Sequence, residues 1–243
     1  MNVCAALPQL LTTGRAVVGA MAMAFALNDQ LEAAATCITL SAVVDGVYGR
    51  VARWLGATSA FGALFDYFAD YLCFVVAPWC LLSALAFNDA SVMQRIVLGV
   101  PLVTGAARYA RNSLLVVGHV AEVRHLPGLG TVFFAFVSVT AVFLDARARI
   151  AEPWLSGILT GMILCFSILM VAPVPYPKLT LFRGVSPTVL VLLALMPFVA
   201  TTMIAGTALV LGLLYTVAGP FLARRHGSAA TLLPNANGDG AGR

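Results

Sequence analysis

The stretch AFGALFDYFADYLCFVVAPWCLLSALAF, residues 60–87, decides the architecture. A bilayer hydrocarbon core of ~30 Å is crossed by about 20 mostly apolar helical residues, so this run can span a membrane and still project beyond it. Its only charges are Asp66 and Asp70. Their i, i+4 spacing puts both carboxylates on one helix face, about one turn apart. An acid at the centre of a spanning helix costs roughly 2.5–3.5 kcal/mol on insertion scales, and two on one face also repel. The segment reads as a membrane helix whose acidic face requires a cation.

The chain on either side repeats the apolar pattern. Of 243 residues, 61% are hydrophobic and 10% charged, against roughly 45–50% and about 25% in soluble chains. A water-soluble domain of this size could not hide so much apolar surface. Further runs at 8–27, 32–49, 94–118, 129–144, 153–173, 186–204 and 206–223 are separated by polar breaks. No alternating strand pattern suggests a barrel. The expected fold is an all-α integral membrane bundle of about eight transmembrane helices over residues 1–223. The tail RRHGSAATLLPNANGDGAGR, 224–243, reads as flexible.

An even number of spans places both termini on one side. Arg15, Arg50, Arg53, Arg108, Arg111, Arg124, Lys178, Arg183, Arg224, Arg225 and Arg243 fall with the termini, and Arg95, Arg147 and Arg149 fall opposite. The positive-inside rule then predicts cytoplasmic termini. The net charge of +4 is accounted for by this topology, with no nucleic-acid partner. The first basic side chain, Arg15, already lies inside an apolar run, so no cleaved signal peptide is expected. The five cysteines form no CxxC pair and read as core residues. His119, His125 and His226 read as solvated, and Trp54, Trp79 and Trp154 lie near span ends. Gly157 and Gly161 fit a small-xxx-small packing face.

Asp45 closes the second apolar run and brings a third carboxylate to the same side of the membrane. An all-oxygen cluster of this kind suits Mg²⁺, Mn²⁺ or Ca²⁺. A purely structural reading is also open, in which Asp45 caps its helix and pairs with Arg50 or Arg53 while Asp66 and Asp70 are paired within the bundle.

The spacing narrows the choice. In VVDGVYGRVARWLGATSAFGALFDYFAD, residues 43–70, Asp45 is followed after two residues by Tyr48-Gly49, after two more by Ala52-Arg53, after eight by Gly62, after three by Asp66 and after three by Asp70. This resembles the signature of the CDP-alcohol phosphatidyltransferases, matching seven of its eight fixed positions. The departure is Tyr48, where the family has its second aspartate. Weaker segments, PQLLT with Arg15 at 8–15, RYAR at 108–111, LPGLGTV from Leu126 and LMVAPVPYPK from Leu169, are similar to the phosphatidylserine synthase branch.

The resemblance implies transfer of the phosphatidyl group of CDP-diacylglycerol to a small alcohol, L-serine in that branch, with release of CMP. It implies a divalent cation, Mg²⁺ or Mn²⁺, held by Asp45, Asp66 and Asp70, with Asp70 also the general base. Gly49, Ala52 and Gly62 would let the nucleotide approach closely. Arg53 would contact the pyrophosphate, and Arg108 and Arg111 a lipid phosphate or the acceptor carboxylate. The implied setting is a bacterial cytoplasmic membrane, with membrane lipids as neighbours and homodimerisation left open. The alternatives are a non-catalytic or weakly active relative that binds nucleotide lipid or partner helices, because the phenol of Tyr48 is a poor ligand for a hard ion, and a phosphatidyltransferase using another alcohol, because the aspartate pattern is shared by enzymes with different acceptors.

Overall fold

The computed structural model describes residues 3–54, 59–88, 90–117, 125–148, 154–177 and 217. These form α1 (Val3–Leu27), α2 (Leu31–Trp54), α3 (Ala60–Tyr71), a π turn (Leu72–Val76), α4 (Ala77–Ala86), α5 (Val92–Val117), α6 (Thr131–Ala148) and α7 (Trp154–Val171). α3, the π turn and α4 are continuous and make one rod over Ala60–Ala86. The described residues thus hold six helical rods, corresponding to the first six expected spans. The expected spans at 186–204 and 206–223 and the tail at 224–243 lie outside the described residues, apart from residue 217.

Two details depart from expectation. α2 does not stop near residue 49 but continues to Trp54, so the Gly49–Trp54 segment read as a loop is helical. Ala52 and Arg53 are good helix formers, and without a proline the single Gly49, at about 1 kcal/mol against alanine, does not end the helix. A small β-ribbon also interrupts the all-α pattern: β1 (His125–Pro127) pairs antiparallel with β2 (Pro175–Pro177).

Among the described residues three helices, Gln9–Leu27, Ala60–Ala86 and Trp154–Val171, are long and apolar enough to cross a membrane, and Thr131–Ala146 is a shorter apolar helix. α2 and α5 have 24 and 26 residues, about 36–39 Å at 1.5 Å per residue, but they carry charges. Of the charged positions on α5, Arg108 is buried and Arg111 partly buried, and Arg95 near the helix start is exposed.

The inward face of α1 carries mainly small residues and its outward face large ones. On α1 the buried stripe is Thr12, Arg15, Gly19, Ala22 and Ala26, at alternating spacings of three and four. Val17, Met21 and Leu27 on the same helix are exposed. Lipid tails are as apolar as leucine, so close backbone approach favours association in place of a hydrophobic drive, and small residues permit it. Ala22 and Ala26 pack in one cluster with Ala34, Ala35 and Ile38 of α2. The two helices are joined by a short turn in which Asp29 is left-handed, φ 57°. Gln30 N–H bonds Phe25 O at 2.9 Å and Asp29 N–H bonds Ala26 O at 3.1 Å, the hydrogen-bond pattern of a Schellman C-cap.

The central rod is shared by both cores. Cys73, Phe74, Ala77 and Leu81 join the α1–α2 side, and Leu82 and Phe87 join Leu159, Ile163 and Phe166 of α7. Gly157 and Gly161 have no neighbour within 4 Å of a built Cβ. Among the described residues that pair is therefore not the packing face expected of it, and α7 packs through Leu155, Leu159, Ile163 and Phe166 instead.

Candidate active site

Asp66 and Asp70 project from α3, whose first turn is organised by Ser59. Its hydroxyl oxygen accepts the Gly62 N–H at 3.0 Å. A Cβ at Gly62 would lie 3.1 Å from that oxygen, so glycine there lets the cap close tightly. Asp45 approaches from α2. Ligand oxygens of Asp45, Asp66 and Asp70 all lie within 4.8 Å of one another, so the expected convergence of three carboxylates from two helices is observed.

A cation already stands among them. Arg15, on the inward stripe of α1, is 1% exposed, and its guanidinium pairs with all three acids. Nη1 pairs with Asp45 Oδ1 and lies 2.7 Å from Asp70 Oδ1. Nη2 lies 2.6 Å from Asp66 Oδ1 and donates to the Asp66 carbonyl at 3.2 Å. Asp45 therefore pairs across helices with Arg15. The side chains of Arg50 and Arg53, its alternative partners, lie outside the described residues, as do those of Tyr48, Gly49 and Ala52. The Asp70 Oδ1 contact lacks hydrogen-bond alignment, so this oxygen is held by charge and not by a directed bond.

The π turn follows directly after this acidic face. The Cys73 thiol donates to the Arg15 carbonyl at 3.4 Å, and the Phe74 ring lies 5.9 Å from Arg15 Cζ, a cation–π approach. A π turn is wider than α-helix, and such turns occur frequently at functional sites. Its neighbours carry glycine where it bulges. A Cβ at Gly19 of α1 would sit 2.6 Å from Cys73 Sγ, and one at Gly105 of α5 would sit 3.0 Å from the Val75 methyls.

α5 closes the other side of α3. Tyr109 packs on Tyr67 and Tyr71 with ring centroids 5.9 and 6.2 Å apart. Tyr71 Oη donates to the Leu102 carbonyl at 3.0 Å. Arg108 Nε donates to the Leu129 carbonyl at 2.8 Å, and Arg111 Nη1 donates to the Val171 carbonyl at 3.3 Å. Both arginines thus tie α5 to the segment before α6 and to the end of α7. Gly128 makes that junction possible. Its φ is +84°, and a Cβ there would collide with the Met170 carbonyl.

The cluster fits a hard divalent cation. Its donors are all carboxylate oxygens, and oxygens around one such ion lie at most two ligand lengths apart, roughly 4–5 Å. A guanidinium among the three acids shows that this point in the bundle attracts positive charge. What sequence reading missed is Arg15 as the partner of the acids. The available signal was its place in the stripe of small residues at three- and four-residue spacing.

Comparison with known proteins agrees with the family resemblance of the sequence. The family model of the CDP-alcohol phosphatidyltransferases matches residues 5–173. A protein of Helicobacter pylori named CDP-diacylglycerol–serine O-phosphatidyltransferase is 28% identical over 171 residues, covering 70% of this chain and 71% of the relative. Proteins with the same name from Mycobacterium bovis and Mycobacterium leprae are 32% identical over 177 residues (71% of this chain, 61% of the relative) and 39% identical over 110 residues (45% and 36%). The matched region takes in α1 to α7 and with them the three aspartates and Arg15, and the chain belongs to the CDP-alcohol phosphatidyltransferase family.

Proposed function

We propose that the chain is a multi-pass membrane phosphatidyltransferase that moves the phosphatidyl group of CDP-diacylglycerol onto the hydroxyl of L-serine and releases CMP. The observation that carries this reading is the convergence of Asp45, Asp66 and Asp70, at the family's spacing, on one point between α1, α2 and α3. Serine is chosen as acceptor because the relatives above bear that name. The site would face the cytoplasm, with both termini on that side of a bacterial inner membrane.

The reaction forms a bond from the alcohol oxygen to the phosphorus bearing diacylglycerol and breaks the bond from that phosphorus to the CMP oxygen. Asp45, Asp66 and Asp70 would hold Mg²⁺ or Mn²⁺, which when bound supplies positive charge against the pyrophosphate and the leaving phosphate. Asp70 takes the hydroxyl proton, the role the family resemblance implies for it. Gly49, Ala52 and Gly62 leave room for the nucleotide, and Arg53 pairs with its pyrophosphate. Arg108 and Arg111 place positive charge beside α3 for a lipid phosphate or the serine carboxylate while anchoring the α6 junction.

The test is purified protein with CDP-diacylglycerol, Mn²⁺ or Mg²⁺ and a panel of alcohols, scored by CMP and lipid product. Asp70→Asn is expected to abolish CMP release while CDP-diacylglycerol binding remains measurable, because the amide keeps the shape but takes no proton. Equal CMP release by wild type and Asp70→Asn would remove Asp70 from the chemistry. Binding of CDP-diacylglycerol without CMP release by the wild type would favour the non-catalytic alternative that Tyr48 raises.

A further inference from the structure

We propose that Arg15 is the resident cation of the tri-aspartate site: its guanidinium neutralises the acids before any ion enters and thereby sets how strongly the site attracts a divalent metal. The inference deepens the metal reading above and rests on it. Three observations converge. Arg15 is buried and touches all three carboxylates, with no other cation in ion-pair contact with any of them among the described residues. It is also held at both ends, by the Cys73 thiol on its backbone carbonyl and, at the guanidinium, by the Phe74 ring and the Asp66 carbonyl at Nη2. Finally, Tyr48 stands where the family carries a further aspartate. The cluster therefore offers three negative charges against one fixed positive, a net of two negatives, which matches a single divalent ion. A guanidinium this close opposes an incoming ion while removing the metal-free site's need for one.

Two consequences separate this from a purely structural arginine. Without Arg15 the acids repel and the protein should depend on metal for its stability. The same loss should raise metal affinity, because a unit charge a few ångströms from a partly buried ion changes affinity by on the order of tenfold or more. The experiment compares wild type, Arg15→Gln and Arg15→Lys, each purified in detergent with Mn²⁺ present and then stripped with EDTA. Thermal unfolding is read with and without Mn²⁺, and Mn²⁺ binding is read by loss of the free-ion EPR signal. Wild type should show a small Tm difference between EDTA and Mn²⁺, and Arg15→Gln a large one. Arg15→Gln should bind Mn²⁺ about tenfold more tightly, and Arg15→Lys should behave like wild type. If Arg15→Gln fails to stay folded in EDTA yet folds in Mn²⁺, the proposal is upheld in its strongest form. Equal Mn²⁺ midpoints for wild type and Arg15→Gln would overturn it while leaving the metal site standing. An Arg15→Lys protein that tracks Arg15→Gln would show that charge is not what matters and overturn it as well. Absence of Mn²⁺ binding by all three proteins would overturn the metal reading and this inference with it.

Discussion

Gly19→Ala and Cys73→Ala form a pair whose coupling can be worked out from the geometry. A Cβ built on Gly19 meets Cys73 Sγ at 2.6 Å, with Cys73 Cα and Cβ next at 3.5 and 3.6 Å. Alanine favours a helix interior over glycine by about 1 kcal/mol, whereas forcing an extra carbon into a packed contact costs about 1–3 kcal/mol. Alone, Gly19→Ala should therefore be neutral to destabilising by roughly 2 kcal/mol. In a Cys73→Ala background the sulfur is gone and the remaining neighbours lie at ordinary contact distance. There the same substitution should stabilise by up to about 1 kcal/mol. The expected coupling is on the order of 1–3 kcal/mol. The assay is a double-mutant cycle of SDS-induced unfolding in mixed micelles, followed by tryptophan fluorescence. Gly19 lies one turn beyond Arg15, and the Cys73 thiol bonds the Arg15 carbonyl, so the single Gly19→Ala variant should also shift Mn²⁺ binding. If Gly19→Ala changes stability by the same amount in both backgrounds, within about 0.5 kcal/mol, then α1 does not approach the π turn as described.

Gly128→Ala puts a side chain at φ +84° against the Met170 carbonyl. It should cost about 2–4 kcal/mol, read as a lower Tm, and an unchanged Tm would contradict the junction described between β1 and α7. Asp66→Asn should weaken Mn²⁺ binding in the EPR titration, since an amide brings no charge to a hard ion, and an unaltered binding curve would remove Asp66 from the ligand set. Tyr48→Asp restores the family's carboxylate and should lower the Mn²⁺ concentration for half-maximal CMP release and raise turnover. A well-folded variant with unaltered metal dependence would place residue 48 away from the ion.

Residue spacing made the acidic half of the site legible, and it left the basic half hidden. Asp66 and Asp70 share a face by helix periodicity alone, and the interval to Asp45 matched a known signature, so three carboxylates could be gathered without coordinates. Arg15 gave no such interval. It was visible as a positive charge in an apolar run, and its partners come from two other helices, 30 and 51 positions away in the case of Asp45 and Asp66. The rods were legible because lipid leaves few options for a backbone at depth, and the first six expected spans recur with shifts at their ends. α2 ran past its expected end because hydropathy marks where a chain leaves the apolar layer, not where its hydrogen bonds stop. The π turn and the β-ribbon escaped because neither has a periodic apolar signature. Arg108 and Arg111 were legible as charges expected on the same side as the acids, but their bonds to Leu129 and Val171 come at a junction where Gly128 has a positive φ, and a glycine in a polar break does not announce its dihedral angle.

The fold and the site are mutually dependent, and the energy scale shows why. Four isolated ionised side chains at about 2.5–3.5 kcal/mol each on insertion scales would together cost roughly 10–14 kcal/mol, comparable with the 5–15 kcal/mol that holds a typical protein together. In the ion pairs described, the compensating charge lies on another helix for each of α1, α2 and α3. Pairing Arg15 with Asp45, Asp66 and Asp70 removes part of the cost for three rods at once, and the small residues along α1 let the rods come close enough for the pairing to form. On the proposed reading a net negative charge must also remain. A site neutralised completely by protein cations would attract no metal, whereas three acids against one arginine tie the helices together and, under the proposal, leave negative charge for a divalent ion.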